Sequence, residues 1–157
     1  ANGWGIWAMS EVLMHLPKDH PKYKAILKHY REHVNSLVKY QDKSGFWHNV
    51  IDRPESPVEV SGTAIFAMNI ARGITQGWLD EKKYKDVVIS AWKAIASEIE
   101  ADGTVHKICL GTMCSEDINY YINRPFYDDD THGSFAVLFA GIEVQRMFTK
   151  LGLTLTE

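Results

Sequence analysis

The chain has little cysteine, little net charge and no long apolar run, and each shortage removes a class of protein. Only two cysteines occur in 157 residues, Cys109 and Cys114, both in one glycine-containing loop. Two thiols make no disulfide framework, and no Cys or His pair follows at zinc-site spacing. Ordinary thiols are therefore expected, with a single bridge between the two as the alternative. No apolar stretch approaches the roughly 20 residues that span a bilayer, and no cationic start followed by an apolar region marks a secretory leader. The net charge of −3 offers no basic surface to nucleic acid or anionic lipid. Asp128-Asp129-Asp130 is acid-rich but fits no calcium-loop spacing, and it reads as helix N-terminal charge and loop surface. No metal or other cofactor is expected.

What is present is an alternation between two kinds of helix. Residues 3–16 carry Trp4, Ile6, Trp7, Met9, Val12, Leu13 and Met14, apolar on nearly every side. A helix without a polar face is buried all round. Pro17 stops it. His20-Pro21 opens a second helix to about Lys43, with Tyr23, Ile26, Leu27, Tyr30, Val34, Leu37 and Val38 in one stripe and lysines opposite. The pattern then repeats. Residues 59–74 are apolar nearly throughout, Gly77 suits a helix end, and Asp80 can cap the next helix. Residues 81–99 carry one stripe through Tyr84, Val88, Ala91, Trp92 and Ile95. Residues 133–147 are again apolar most of the way round.

Buried, half-buried, buried, half-buried, buried is the order produced by antiparallel helix pairs in two concentric layers. Ordinary four-helix bundles give every helix a similar single stripe. An all-α toroid is therefore expected, in which this chain supplies two helix pairs and the inner helix of a third. Internal similarity agrees: Ser44-Gly45-Phe46-Trp47-His48 resembles Asp102-Gly103-Thr104-Val105-His106, each after a half-buried helix. Gly3, Gly62 and Gly133 stand at the heads of the three inner helices. Two irregular stretches, 44–58 and 100–131, hand each outer helix over to the next inner one. The second is long enough to be functional or to hide elements of its own. Both lie at the same end of the layer, which makes that end the expected binding face.

That face collects aromatic and polar residues suited to a sugar, whose ring has an apolar C–H face and a hydroxyl rim. Trp4, Trp47, His48, Glu59, Ser61, Tyr121, Arg124 and His132 are the candidate binding residues. Each has a plainer alternative. Trp4 and Trp47 suit a core as well as a platform, and His48 and His106 occupy matching positions, so one of them can be purely structural. A glycosidase needs carboxylates across the scissile bond. Glu59 and Asp130 are the only acids placed near inner-helix starts, and no spacing pairs them. From the residues alone, an enzyme and a non-catalytic helical module that binds sugar or protein stay open.

An ordered series of short motifs narrows this. It runs Asn2-Gly3-Trp4, Gly45-Phe46-Trp47-His48, Glu59-Val60-Ser61-Gly62, Ala71-Arg72-Gly73 and Gly77-Trp78-Leu79-Asp80. It continues with Asp102-Gly103-Thr104, Cys109-Leu110-Gly111-Thr112, Tyr120-Tyr121 with Asn123-Arg124, and Asp130-Thr131-His132-Gly133. Over nearly its whole length the chain resembles the unsaturated rhamnogalacturonyl hydrolases of glycoside hydrolase family 105. It is more distantly similar to the unsaturated glucuronyl hydrolases of family 88. The resemblance implies an (α/α)6 barrel and an oligosaccharide substrate ending in a 4,5-unsaturated uronic acid, as in pectin degradation. It also implies an aspartate that protonates the C4=C5 bond and directs water onto C5, after which the hemiketal opens and releases the sugar. That aspartate lies upstream of the motif in which this chain begins, so the resemblance implies a C-terminal half-barrel, residues 1–157 forming a single segment. Such a piece is expected to be inactive by itself, and to need its N-terminal half or self-association to cover its edges. The compartment is left open between bacterial cytoplasm and periplasm.

Overall fold

The computed structural model describes residues 1–154. Its elements are α1 (Asn2–His15), α2 (Tyr23–Leu37), a 3-10 turn (Val38–Tyr40), β1 (Trp47–His48), β2 (Val58–Glu59), α3 (Val60–Thr75), α4 (Glu81–Ala96), β3 (Ile108–Cys109), α5 (Ile118–Ile122), β4 (Phe126–Tyr127) and α6 (Thr131–Leu151). α1, α3 and α6 form the inner layer, with α3 packed between the other two, while α2 backs α1 and α4 backs α3. This is the two-layer α/α arrangement that the alternating burial implied. No helix among the described residues is long and apolar enough to cross a membrane.

The central helix α3 fulfils the all-round burial expected of an inner helix, with 13 of its 16 residues buried. Its neighbours α1 and α6 are the two edge helices, where apolar side chains were expected to stand uncovered, and both are less buried. α1 buries only Ile6, Ser10 and Leu13, and α6 buries one stripe that includes Ala136, Ala140, Val144 and Met147. The physical reason is position: α3 has a helix on either flank, whereas α1 and α6 each have an inner neighbour on one flank only among the described residues. Val12 and Met14 on α1, and Leu138, Phe139 and Ile142 on α6, are consequently exposed.

Several boundaries also move. α2 starts at Tyr23 rather than at Pro21, and it ends at Leu37, where the chain tightens into the 3-10 turn instead of continuing to Lys43. α4 ends at Ala96, short of Ile99, which bridges Val105. α6 runs two residues earlier and four residues later than its apolar stripe, from the Asp130 cap to a left-handed Gly152. Side-chain caps set the other starts: the Glu59 carboxylate accepts from Ser61 and Gly62 at the head of α3, and Asp80 accepts from Lys82 at the head of α4.

The two crossing loops contain the hidden elements. β1 pairs antiparallel with β2, and β3 with β4, each over two residues. Both loops enter through a turn whose glycine, Gly45 or Gly103, sits at φ +94° and donates its N–H to the carbonyl three residues back. That backbone conformation is open to glycine and costly for other residues, which accounts for the matching Gly-x-x-His pattern. Cys109 and Cys114 are both free thiols, the first buried and the second exposed.

Candidate binding pocket

A cavity of about 350 Å³ opens at the heads of α1, α3 and α6. It is walled by Asn2, Gly3 and Trp4 from α1, by Glu59 and the first turns of α3, by Trp47 to Asn49 and Ile51 from the first loop, by Cys109 and Thr112 from the second, and by His132 from α6. Inner helices that run parallel put three N-termini at one end, and the loops that feed them close the sides.

Trp4 leaves the first turn of α1 with 52% of its surface exposed. Its ring lies 5.6 Å from Trp7, stacked at 17°, and 6.1 Å from Phe135. Trp47 is the opposite kind of aromatic: it is 1% exposed, donates its indole N–H to the Leu37 carbonyl at 2.8 Å, and meets Phe66 edge to face at 5.2 Å. It forms the floor and leaves little ring surface for a ligand. His48 points Nδ1 at the Ser56 carbonyl, 2.5 Å away. A carbonyl only accepts, so Nδ1 carries a proton. The other nitrogen, Nε2, lies 3.7 Å from the Asp42 carboxylate. Asp42 is itself held below the usual carboxylate range, chiefly by the Ser44 hydroxyl and then by the Ser44 N–H. His132 is exposed on the first turn of α6, with its backbone N–H donated to the Asp130 carboxylate at 2.8 Å.

Glu59 is the only carboxylate among the described residues that line the cavity. It is engaged on both oxygens. Oε1 accepts from the Ser61 N–H at 2.8 Å, from the Ser61 hydroxyl at 2.6 Å and from the Cys109 N–H at 3.1 Å, and Oε2 accepts from the Gly62 N–H. This buried anion caps a helix and clamps a loop, and Ser61 spends its hydroxyl on it. No described lysine or arginine lines the cavity.

Tyr121 and Arg124 are not among the lining residues. The Tyr121 hydroxyl accepts from the Ser115 N–H at 2.8 Å and donates to its carbonyl at 3.0 Å. Arg124 donates to the Gly111 carbonyl at 2.7 Å and stacks 4.7 Å over the Tyr120 ring. Both shape the loop that carries Cys109 and Thr112 to the cavity. The Cys109 thiol is pushed above its usual range by burial and then by the Glu59 charge. His106, the counterpart of His48, is outside the cavity and bonds Asp128 at 2.8 Å and Glu100 at 3.1 Å. Sequence reasoning passed over Asn2, Asn49, Ile51, Phe66 and Thr112 as lining residues. The motif Cys109-Leu110-Gly111-Thr112 was the available signal for the last of these.

Residues 1–148 match the model of Glycosyl Hydrolase Family 88. The chain belongs to that family. Two curated relatives of this family 88 chain show how the match is distributed. The unsaturated rhamnogalacturonyl hydrolase YesR of Bacillus subtilis (strain 168) is 32% identical over 127 residues, covering 80% of this chain and 35% of the relative. The unsaturated 3S-rhamnoglycuronyl hydrolase of Alteromonas sp. (strain LOR) is 32% identical over 146 residues, covering 91% of this chain and 34% of the relative. A family 105 glycoside hydrolase structure from C. acetobutylicum ATCC 824 superposes with a TM-score of 0.82 at 26% identity, over 92% of this chain and 44% of that one. A glycosyl hydrolase family 88 structure from Bacteroides vulgatus gives 0.77 at 27% identity, over 92% and 42%. The family 88 chain thus spans about a third of the curated relatives it matches, and its fold is a partial α/α barrel of the kind those structures contain.

Proposed function

We propose that this chain supplies one wall of the sugar pocket of a hydrolase acting on oligosaccharides that end in a 4,5-unsaturated uronic acid, such as unsaturated rhamnogalacturonan disaccharides. The pocket's composition carries the reading. One exposed indole, Trp4, offers a face to a pyranose ring, two imidazoles, His48 and His132, offer polar contacts to its rim, and the single carboxylate, Glu59, is engaged on both oxygens as a helix cap and loop clamp. This wall binds and orients. The acid that adds a proton at C4 while water adds at C5 belongs to another part of the full-length protein. Relatives named as unsaturated rhamnogalacturonyl and rhamnoglycuronyl hydrolases support the substrate class.

The C=C bond of the substrate, conjugated with its carboxylate, absorbs in the ultraviolet, so loss of that absorbance reports turnover. The full-length protein is expected to consume an unsaturated uronyl-rhamnose disaccharide, and the 157-residue chain alone is expected to leave it intact. Turnover by the isolated chain would refute the division of labour between the two parts. The engaged state of Glu59 also suits a second reading, a helical module that binds sugar without reacting. Saturable binding of the disaccharide by the full-length protein with no loss of absorbance would select it.

A further inference from the structure

Among the described residues that line the pocket, Trp4 is the exposed indole, and no hydrogen bond from its ring is found among them. What holds it is a chain of contacts running down the inner layer, away from the cavity. Trp4 stacks on Trp7 one turn below, and Phe135 of α6 packs against both rings, 5.6 Å from Trp7 at 25° and 6.1 Å from Trp4. Trp7 is anchored by its N–H, which donates to Glu11 Oε1 at 2.8 Å one further turn down. The same Glu11 oxygen accepts from Arg72 Nη1 at 2.5 Å. Arg72 is only 11% exposed at its side chain and is held from all three inner helices: by Glu11 and by Ser10 Oγ (3.0 Å) on α1, by its own place on α3, and by Glu143 Oε1 on α6 at 3.2 Å. Ser10 Oγ in turn donates to Asn69 Oδ1 of α3 at 2.5 Å. Glu11 titrates below the ordinary carboxylate range: burial alone would raise it, and the Arg72 and Trp7 hydrogen bonds outweigh that.

We propose that Arg72 and Glu11 are positioning residues for sugar binding: they fix the Trp7 indole and, through it, the face that Trp4 presents to the pocket. The proposal rests on the sugar reading above for its ligand, and on geometry alone for the relay. A buried arginine between two glutamates could serve stability only. The relay demands more, namely that damage at Glu11 reach the pocket through Trp7 and Trp4 and by no other route.

The experiment uses the full-length protein with an unsaturated uronyl-rhamnose disaccharide as the probe. Glu11→Ala and Trp7→Phe should each raise KM about fivefold or more with kcat within about twofold, the pattern of lost uniform binding. Glu11→Gln keeps an acceptor for the indole N–H and should restore most of the affinity. In the Trp7→Phe background, Glu11→Ala should add nothing further to KM, and in the Trp4→Ala background neither change should matter. Additive effects in those double variants overturn the relay. A readout independent of substrate separates it from the sugar reading. Stacked indoles give an exciton couplet in circular dichroism, which Glu11→Ala should abolish and Glu11→Gln should keep. A couplet that persists in Glu11→Ala overturns the proposal whatever the kinetics show. A couplet lost on cue in a protein that ignores the disaccharide sustains the relay and overturns the sugar reading.

Discussion

The Glu59 carboxylate, at the head of α3, accepts the backbone N–H of Cys109 at 3.1 Å across fifty residues of chain. The same group caps α3 through Ser61 and Gly62. One buried anion therefore joins a helix start to the loop that forms the far wall of the pocket. Charge-assisted hydrogen bonds and helix caps each carry about 1–3 kcal/mol. Glu59→Ala should cost about 3 kcal/mol in the full-length protein, measured by chemical denaturation, and should lower sugar affinity because Thr112 loses its support. Unchanged stability would show that the carboxylate is not a structural clamp and would return it to the list of candidate reacting groups.

Gly133 is a second point of close approach, where α6 crosses α3. A methyl group there would sit 2.7 Å from Ser61 Cβ and would also run into Ile108. Both neighbours are held: Ser61 by Glu59, and Ile108 as a fully buried strand residue. Gly133→Ala gains a little helix propensity, under about 1 kcal/mol, and loses more through overpacking, about 1–3 kcal/mol. The variant is expected to melt lower than wild type by calorimetry, and an equal or higher melting temperature would contradict the packing at this crossing.

His106 should make stability depend on pH. Its two ring nitrogens face carboxylates of Asp128 and Glu100, which only accept, so the charged imidazolium is the form that satisfies both. The hydrogen bond to Asp128, then that to Glu100, raises its pKa above the ordinary value. A raised folded-state value means that the contribution is complete below the unfolded value of about 6.5 and is lost as pH climbs through the folded one. The melting temperature of wild type should therefore exceed that of His106→Gln in mild acid, and the gap should close in alkaline buffer. A gap constant across that range would show that the cluster does not titrate in the fold. The site is exposed, so the gap should be small.

Much of the architecture was legible because burial leaves a period in the sequence. The stripes of α2 and α4 placed the outer helices, and the near-continuous apolar run of α3 placed the central inner one. α1 and α6 carry the same near-continuous apolar character and stand partly uncovered, as expected of edge helices, since a sequence records the neighbours a helix is built for, whichever of them are present. The short strands β1 to β4 left no alternating pattern that two residues could carry. The pocket was half legible. Glycines at the heads of inner helices pointed to the end of the layer where the cavity opens, and Trp4, His48 and His132 line it. Polar residues in loops gave no sign of their partners, however. Tyr121 and Arg124 turned inward to brace a loop, and Glu59 is spent as a cap.

In the full-length protein, Trp4→Ala and His132→Ala should each lower kcat/KM, by about 1–3 kcal/mol for removal of a sugar platform or a hydrogen-bonding group. His106→Ala, at the matching position outside the cavity, is the control. Wild-type kinetics in both pocket variants, measured by loss of the C=C absorbance, would mean that the pocket has been placed at the wrong end of the layer.

The two flanks of the partial barrel set the last expectation. Val12 and Met14 stand exposed on α1, and Leu138, Phe139 and Ile142 on α6, with Leu138 at 71%. Beside α6 an apolar groove also takes in Trp92, Ile99 and Val137. An apolar groove flanked by exposed apolar side chains is the kind of surface that marks an interface. Burying a large apolar side chain is worth about 1.5–3 kcal/mol. Covering several of them at once offsets a good part of the rigid-body freedom that association costs. Expressed alone, the 157-residue chain should therefore self-associate through these flanks, and light scattering at micromolar concentration should give a mass above that of one chain. Replacing Leu138 and Ile142 with glutamate should shift the population toward monomer. A monodisperse wild-type monomer with a cooperative melt would show that α1 and α6 tolerate their open flanks and that nothing needs to cover them.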